Sequence, residues 1–133
     1  MRRAARRDSN EQELIQELIT YGFVVEQVND PGLPDLVASK GINLLFEIKT
    51  KQGTLTTAQK KFFGSWQGQV NLVRNSNDIR KVLFSIYLIR EYKCTCGHSE
   101  LVTQCCIENP SDFACPVCQC PMSHKKIKGY IDG

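Results

Sequence analysis

The chain has 133 residues, 41% hydrophobic and 23% charged, which gives room for one compact domain of about 90 residues and a small appendage. No run approaches the roughly 18 apolar residues of a membrane span, and no charged-then-apolar segment opens the chain, so a soluble protein without a membrane partner is expected. The net charge of +3 permits nucleic-acid binding without arguing for it.

A cytoplasmic setting (the host cytoplasm, if phage-encoded) follows as an expectation, and in it the seven cysteines read as thiols or metal ligands rather than disulfides. Charge is concentrated at the ends. Arg2, Arg3, Arg6 and Arg7 load one end, and His124, Lys125, Lys126 and Lys128 the other. Such runs are first of all solvated tails, each able to add sequence-independent phosphate contacts. There is no internal repeat.

After the basic arm, residues 1–8, Asp8-Ser9-Asn10 offers an N-cap, and residues 10 to about 21 follow helical spacing through Leu14, Ile15, Leu18 and Ile19. At about 100° per residue, Glu11 falls on the apolar stripe and Glu13 on the solvent side. An acid in a first helical turn also simply favours the helix dipole. Tyr21-Gly22 ends the helix. Phe23 to Val28 alternates as a strand does, and Asn29 to Pro34 is a turn-rich loop that delivers Asp35 to the sheet.

Two short strands follow, Pro34 to Ala38 and Leu44 to Lys49, joined by a turn at Lys40-Gly41. Period-two geometry puts Glu47 and Lys49 on one face. Asp35, Glu47 and Lys49 in otherwise apolar segments are costly to bury without a compensating ion, and hard oxygen donors suit magnesium or manganese. The plainer alternative is a Glu47–Lys49 salt bridge on an edge strand, with Asp35 opening a turn. Beyond a polar loop at 50–53, Thr54 to Thr57 starts a helix on which Gln59, Phe62, Phe63 and Trp66 share a face. Gln59 reads equally as a structural residue and as a site residue. Val70 to Val73 is the next strand, Asn75 to Asp78 a turn and cap, and Ile79 to about Ile89 a closing helix. The order is α-β-β-β-α-β-α.

Pro34-Asp35, followed one hairpin later by Glu47-Ile48-Lys49, resembles the PD-(D/E)XK nuclease superfamily. Residues 8 to about 86, with Leu55-Thr-x-x-Gln59 and Trp66-x-Gly68, resemble its VRR-NUC and Holliday-junction-resolvase-like branch of small phage and archaeal proteins. The resemblance implies a nuclease domain over 9–90 with a restriction-endonuclease-like α/β fold, a mixed central sheet flanked by helices. It implies that Asp35, Glu47 and the Ile48 carbonyl hold one or two Mg²⁺ (or Mn²⁺) ions. Glu11, or Glu13 in a shifted register, completes the shell; Lys49 orients and helps deprotonate water, and Gln59 helps place water or phosphate. The implied activity is endonucleolytic hydrolysis of DNA to a 5′-phosphate and a 3′-hydroxyl. A homodimer acting on branched DNA in phage recombination, replication or packaging is the leading expectation.

Composition shifts near Tyr92, and residues 91–133 read as a second module with a basic tail. Cys94-Thr-Cys96-Gly97-His98 and Cys115-Pro-Val-Cys118 are two knuckle-like pairs, and four soft ligands make a tetrahedral structural zinc site that stabilises a segment too small for its own core. Cys94, Cys96, Cys115 and Cys118 are the expected zinc ligands; His98, Cys105, Cys106 and Cys120 are substitutes. Neither His98 nor His124 has a nucleophilic partner. The zinc ribbon could grip DNA or dock a protein. The competing function is a zinc-ribbon DNA-binding or regulatory accessory protein with a catalytically weak nuclease core.

Overall fold

The computed structural model describes residues 10–132, so the basic arm and the Asp8-Ser9 part of the expected cap lie outside the described residues. The fold is mixed α/β, with three helices and two four-stranded sheets, and the chain forms two compact units that divide between Val82 and Leu83. No helix among the described residues is long and apolar enough to cross a membrane.

The first unit runs α1 (Glu11–Thr20), β1 (Val24–Gln27), β2 (Leu36–Ser39), β3 (Asn43–Ile48), α2 (Thr57–Ser65), β4 (Asn71–Val73) and α3 (Ser76–Phe84), whose last turn crosses the division. The element order is the one expected. Its sheet has the spatial order β1-β2-β3-β4, antiparallel across β1–β2 and β2–β3 and parallel across β3–β4. The hairpin turns at Gly41, whose φ of 78° favours glycine, and sets Leu36 opposite Phe46 and Val37 opposite Leu45. Leu44, Phe46 and Ile48 alternate onto one buried face of β3, with Leu36 and Ala38 beside them on β2. Burying each large aliphatic side chain of this kind stabilises by about 2 kcal/mol. The same alternation sends Leu45, Glu47 and Lys49 to the other face.

α3 corrects one expectation. It spans Ser76–Phe84, starts where the Asn75 side chain accepts from the Asp78 N–H at 3.0 Å, and stops before Ile86. The Ile79 to Ile89 helix is therefore two elements, because Ile86, Leu88, Arg90 and Tyr92 alternate as the buried face of a strand. The second unit accordingly begins before residue 91. It contains β5 (Ile86–Lys93), β6 (Ser99–Cys105), β7 (Phe113–Ala114) and β8 (Pro121–Asp132), in the order β6-β5-β8-β7 with antiparallel pairing throughout. Tyr92, Cys94, Cys115 and Met122 form its core cluster, with Val102 and Phe113 against it and the Tyr92 and Phe113 rings 4.9 Å apart. Arg90 is buried in this sheet, 3.2 Å from His124 Nε2 through Nη1 and donating to the Glu108 carbonyl through Nη2. Burial and then the Arg90 charge push the His124 pKa down, so the pair carries one positive charge rather than two.

Candidate functional site

Asp35 sits just before β2, where its carbonyl accepts from the Val28 N–H at 2.7 Å. Its Oδ2 accepts the Ile48 N–H at 2.8 Å, which ties it across the hairpin to the residue between Glu47 and Lys49. Glu47 is 1% exposed and its carboxyl faces that of Asp35. Glu47 Oε2 accepts from Gln59 Nε2 at 2.9 Å and lies 3.5 Å from Lys49 Nζ. Its other oxygen, Oε1, is shut off from solvent with no hydrogen-bond partner among the described residues. Burial above all, and then the hydrogen bond and charge of Asp35, raise the Glu47 pKa to about 8, although Lys49 pulls it down. The pair therefore keeps one proton at neutral pH. Either that proton or a cation relieves two carboxyls confined together.

Gln59 is both structural and part of this cluster. It is the third residue of α2, and with Thr56 it makes a capping box: Thr56 Oγ1 accepts the Gln59 N–H at 3.2 Å, and Gln59 Oε1 accepts the Thr56 N–H at 2.8 Å. The carbonyl end of the amide holds the helix start and the NH₂ end holds Glu47. One side chain thus caps α2 and reaches Glu47.

Glu11 is 3% exposed and Glu13 is exposed, as the helical phase implies. Glu11 Oε2 accepts from Gln27 Nε2 of β1 at 2.5 Å. It is not gathered with Asp35 and Glu47 into a convergent group of three acids. Three positioning residues carried no sequence signal. Gln27 holds Glu11. Asn10 leaves its capping role and donates to the carbonyls of Arg74, at 2.7 Å, and of Lys49, at 3.4 Å. Arg74 Nη1 donates to the Thr50 and Gly53 carbonyls at 2.6 and 2.7 Å, bracing the loop that follows Lys49. The Lys49 N–H itself donates to the Val73 carbonyl at 3.0 Å, so the lysine's backbone is fixed by β4.

The cysteine group is in the second unit. Cys94 and Cys96 lie in the β5–β6 turn, closed by Cys94 N–H to the His98 carbonyl and by Gly97, whose φ is 98°. Cys115 and Cys118 lie in the β7–β8 turn, where Cys115 N–H donates to the Cys120 carbonyl and Gln119 takes a φ of 66°. The four Sγ atoms fall within 4.8 Å of one another, with Cys94 and Cys118 3.2 Å apart and Cys96 and Cys115 3.8 Å apart. Zn–S bonds of about 2.3 Å place tetrahedral sulfurs about 3.8 Å apart, so this group could bind a metal such as zinc. The Cys94 thiol is drawn down to about 7, first by the Cys96 backbone N–H and then by the Cys118 thiol. The substitutes lie elsewhere: Cys105 and Cys106 both point to the Leu83 carbonyl, Cys120 is exposed, and His98 Nε2 lies 3.3 Å from Glu100.

Comparison of the chain with family models, with curated proteins and with solved structures finds no match. What the chain does is therefore argued from these two clusters.

Proposed function

We propose that the chain is a divalent-metal-dependent DNA endonuclease of the PD-(D/E)XK kind, with a restriction-endonuclease-like core and a structural zinc ribbon. The observation that carries the reading is the Asp35–Glu47 pair: two carboxyls face each other, one buried Glu47 oxygen has no hydrogen-bond partner among the described residues, and Lys49 Nζ stands 3.5 Å from the other. An oxygen-rich pair with an unsatisfied buried atom fits a hard cation such as Mg²⁺ or Mn²⁺, held by Asp35, Glu47 and the Ile48 carbonyl. Once bound, that ion would supply charge stabilisation at the scissile phosphate and help generate the nucleophile.

The chain's own groups account for the rest. Lys49, 14% exposed, is near enough to the carboxylates to be oriented by them and open enough to meet a water or a phosphate oxygen. Gln59 keeps the Glu47 carboxylate in place against the helix start. Asp35 keeps the Ile48 amide satisfied, so its Oδ2 is turned toward the centre of the hairpin. Glu11 acts through a water rather than directly, and Glu13 takes no part. The cysteine group holds Zn²⁺ and closes the two turns of the second unit. A homodimer cutting branched DNA symmetrically is the assembly this reading favours.

The test is cleavage of labelled linear, nicked, flap and four-way DNAs in Mg²⁺, with Glu47→Ala beside the wild type. Symmetric cuts in the four-way junction that vanish in the variant are expected. Equal activity in both proteins, or none in either, overturns the reading. A pair of acids rather than a triad also suits a non-cleaving DNA-binding accessory; binding without cleavage at any Mg²⁺ or Mn²⁺ concentration would establish that instead.

A further inference from the structure

Trp66 is 46% exposed, an unusual position for the chain's single tryptophan. The indole is nevertheless held in place. It stacks on Phe62 with ring centroids 5.0 Å apart and planes 19° from parallel, and the Trp66 backbone N–H, at the C-cap of α2, donates to the Phe62 carbonyl at 2.9 Å. Gly68 lies against the ring edge so closely that an added Cβ would come 2.9 Å from Nε1. Phe62 takes one face, and nearly half of the residue stays exposed.

Its place relative to Glu47 follows from the helix. Trp66 follows Gln59 by seven positions along α2 and its C-cap, about 10 Å of rise, and two near-complete turns return Trp66 to the side on which Gln59 reaches Glu47. α2 contains no acidic residue. Lys60 and Lys61 are exposed on it and make no ion pair among the described residues. An exposed indole on a helix without acidic residues, two turns from a candidate phosphodiester site, complements a polyanion that carries flat rings.

We propose that Trp66 is a base-stacking platform, binding an unpaired nucleobase of the DNA strand that crosses the Asp35–Glu47 site. The proposal rests on the nuclease reading and sharpens it. The preferred substrate has unpaired nucleotides next to the cut, because a base within a duplex has no free face to offer. Stacking of this type needs no base edge and is tolerant of sequence.

Because Trp66 is the only tryptophan, its emission reports directly. The wild-type chain is titrated with a fluorescein-labelled dT oligonucleotide and a matched duplex in buffer without divalent cations, following indole emission and fluorescein anisotropy together. Saturable quenching with the anisotropy midpoint is expected for the single strand. Trp66→Ala is expected to lower single-strand affinity roughly tenfold with little change for the duplex, and Trp66→Phe to restore most of it. Oligonucleotide binding with unchanged emission, or equal affinities in wild type and Trp66→Ala, overturns the platform. If Mg²⁺-dependent cleavage is present in that case, the nuclease reading stands without it; absence of both binding and cleavage removes both.

Discussion

The first unit gathers oxygen atoms and leaves one of them without a partner among the described residues; the second gathers four sulfur atoms and closes them on one another. The difference separates two tasks that ions perform in proteins. A closed tetrahedral set has no position for a reacting molecule and serves the fold, whereas an incomplete oxygen set leaves room for water and substrate. The surroundings agree. The sulfurs sit in two turns whose backbones hydrogen-bond to themselves, while the carboxyls sit on a hairpin that is fastened from outside by Gln59, Arg74 and Asn10.

The largest effect is expected on the sulfur side. Cys115→Ser should take bound zinc, measured by elemental analysis, from about one equivalent per chain to near none. The thermal midpoint of the second unit should fall by on the order of 10 °C or more, since metal binding and folding are one process in so small a unit. Cys120→Ser should keep the zinc. Retention in Cys115→Ser would break the contrast between the two centres.

The oxygen side should show a pH dependence. A carboxyl with its pKa raised from 4.5 to about 8 holds more protons folded than unfolded across that interval, so without Mg²⁺ stability is greatest at the acid end and declines as pH rises to about 8. The loss should be on the order of a few kcal/mol. Glu47→Gln, followed by denaturant melts, should flatten the slope, and Mg²⁺ should restore stability to the wild type at pH 8 but not to the variant. An unchanged slope in Glu47→Gln would assign the burial to packing rather than to a cation site.

The smallest effect divides the two uses of Gln59. Gln59→Ala should cost about 1 kcal/mol through loss of the capping box. Gln59→Glu should keep the cap but set a like charge against Glu47, lowering Mg²⁺-dependent cleavage while the helix persists. Parallel losses of stability and cleavage in both variants would make Gln59 a capping residue alone.

The Asp35, Glu47 and Lys49 arrangement was legible in sequence because period-two alternation and a short turn are local rules, and the helical phase likewise separated Glu11 from Glu13. The cysteine set was legible because each pair lies within one turn. Asn10, Gln27 and Arg74 were not legible: each acts on groups 16 to 64 positions away, several of them carbonyls that every residue type carries. The closing helix was misread at Ile86 to Ile89 for a related reason. Apolar residues at 79, 82, 83 and 86 satisfy a helical stripe, and only pairing with β6 and β8 makes 86–93 a strand.

β8 has twelve residues, but β7 covers only Pro121 and Met122, so among the described residues its pairing from Ser123 onward is with β5 alone. A long strand with one side open invites pairing by another chain, and Lys125, Lys126 and Lys128 stand exposed along it. Any second copy aligned there meets like charges, which makes solubility of this protein a matter of ionic strength: salt that screens three lysines also removes what keeps the edge single.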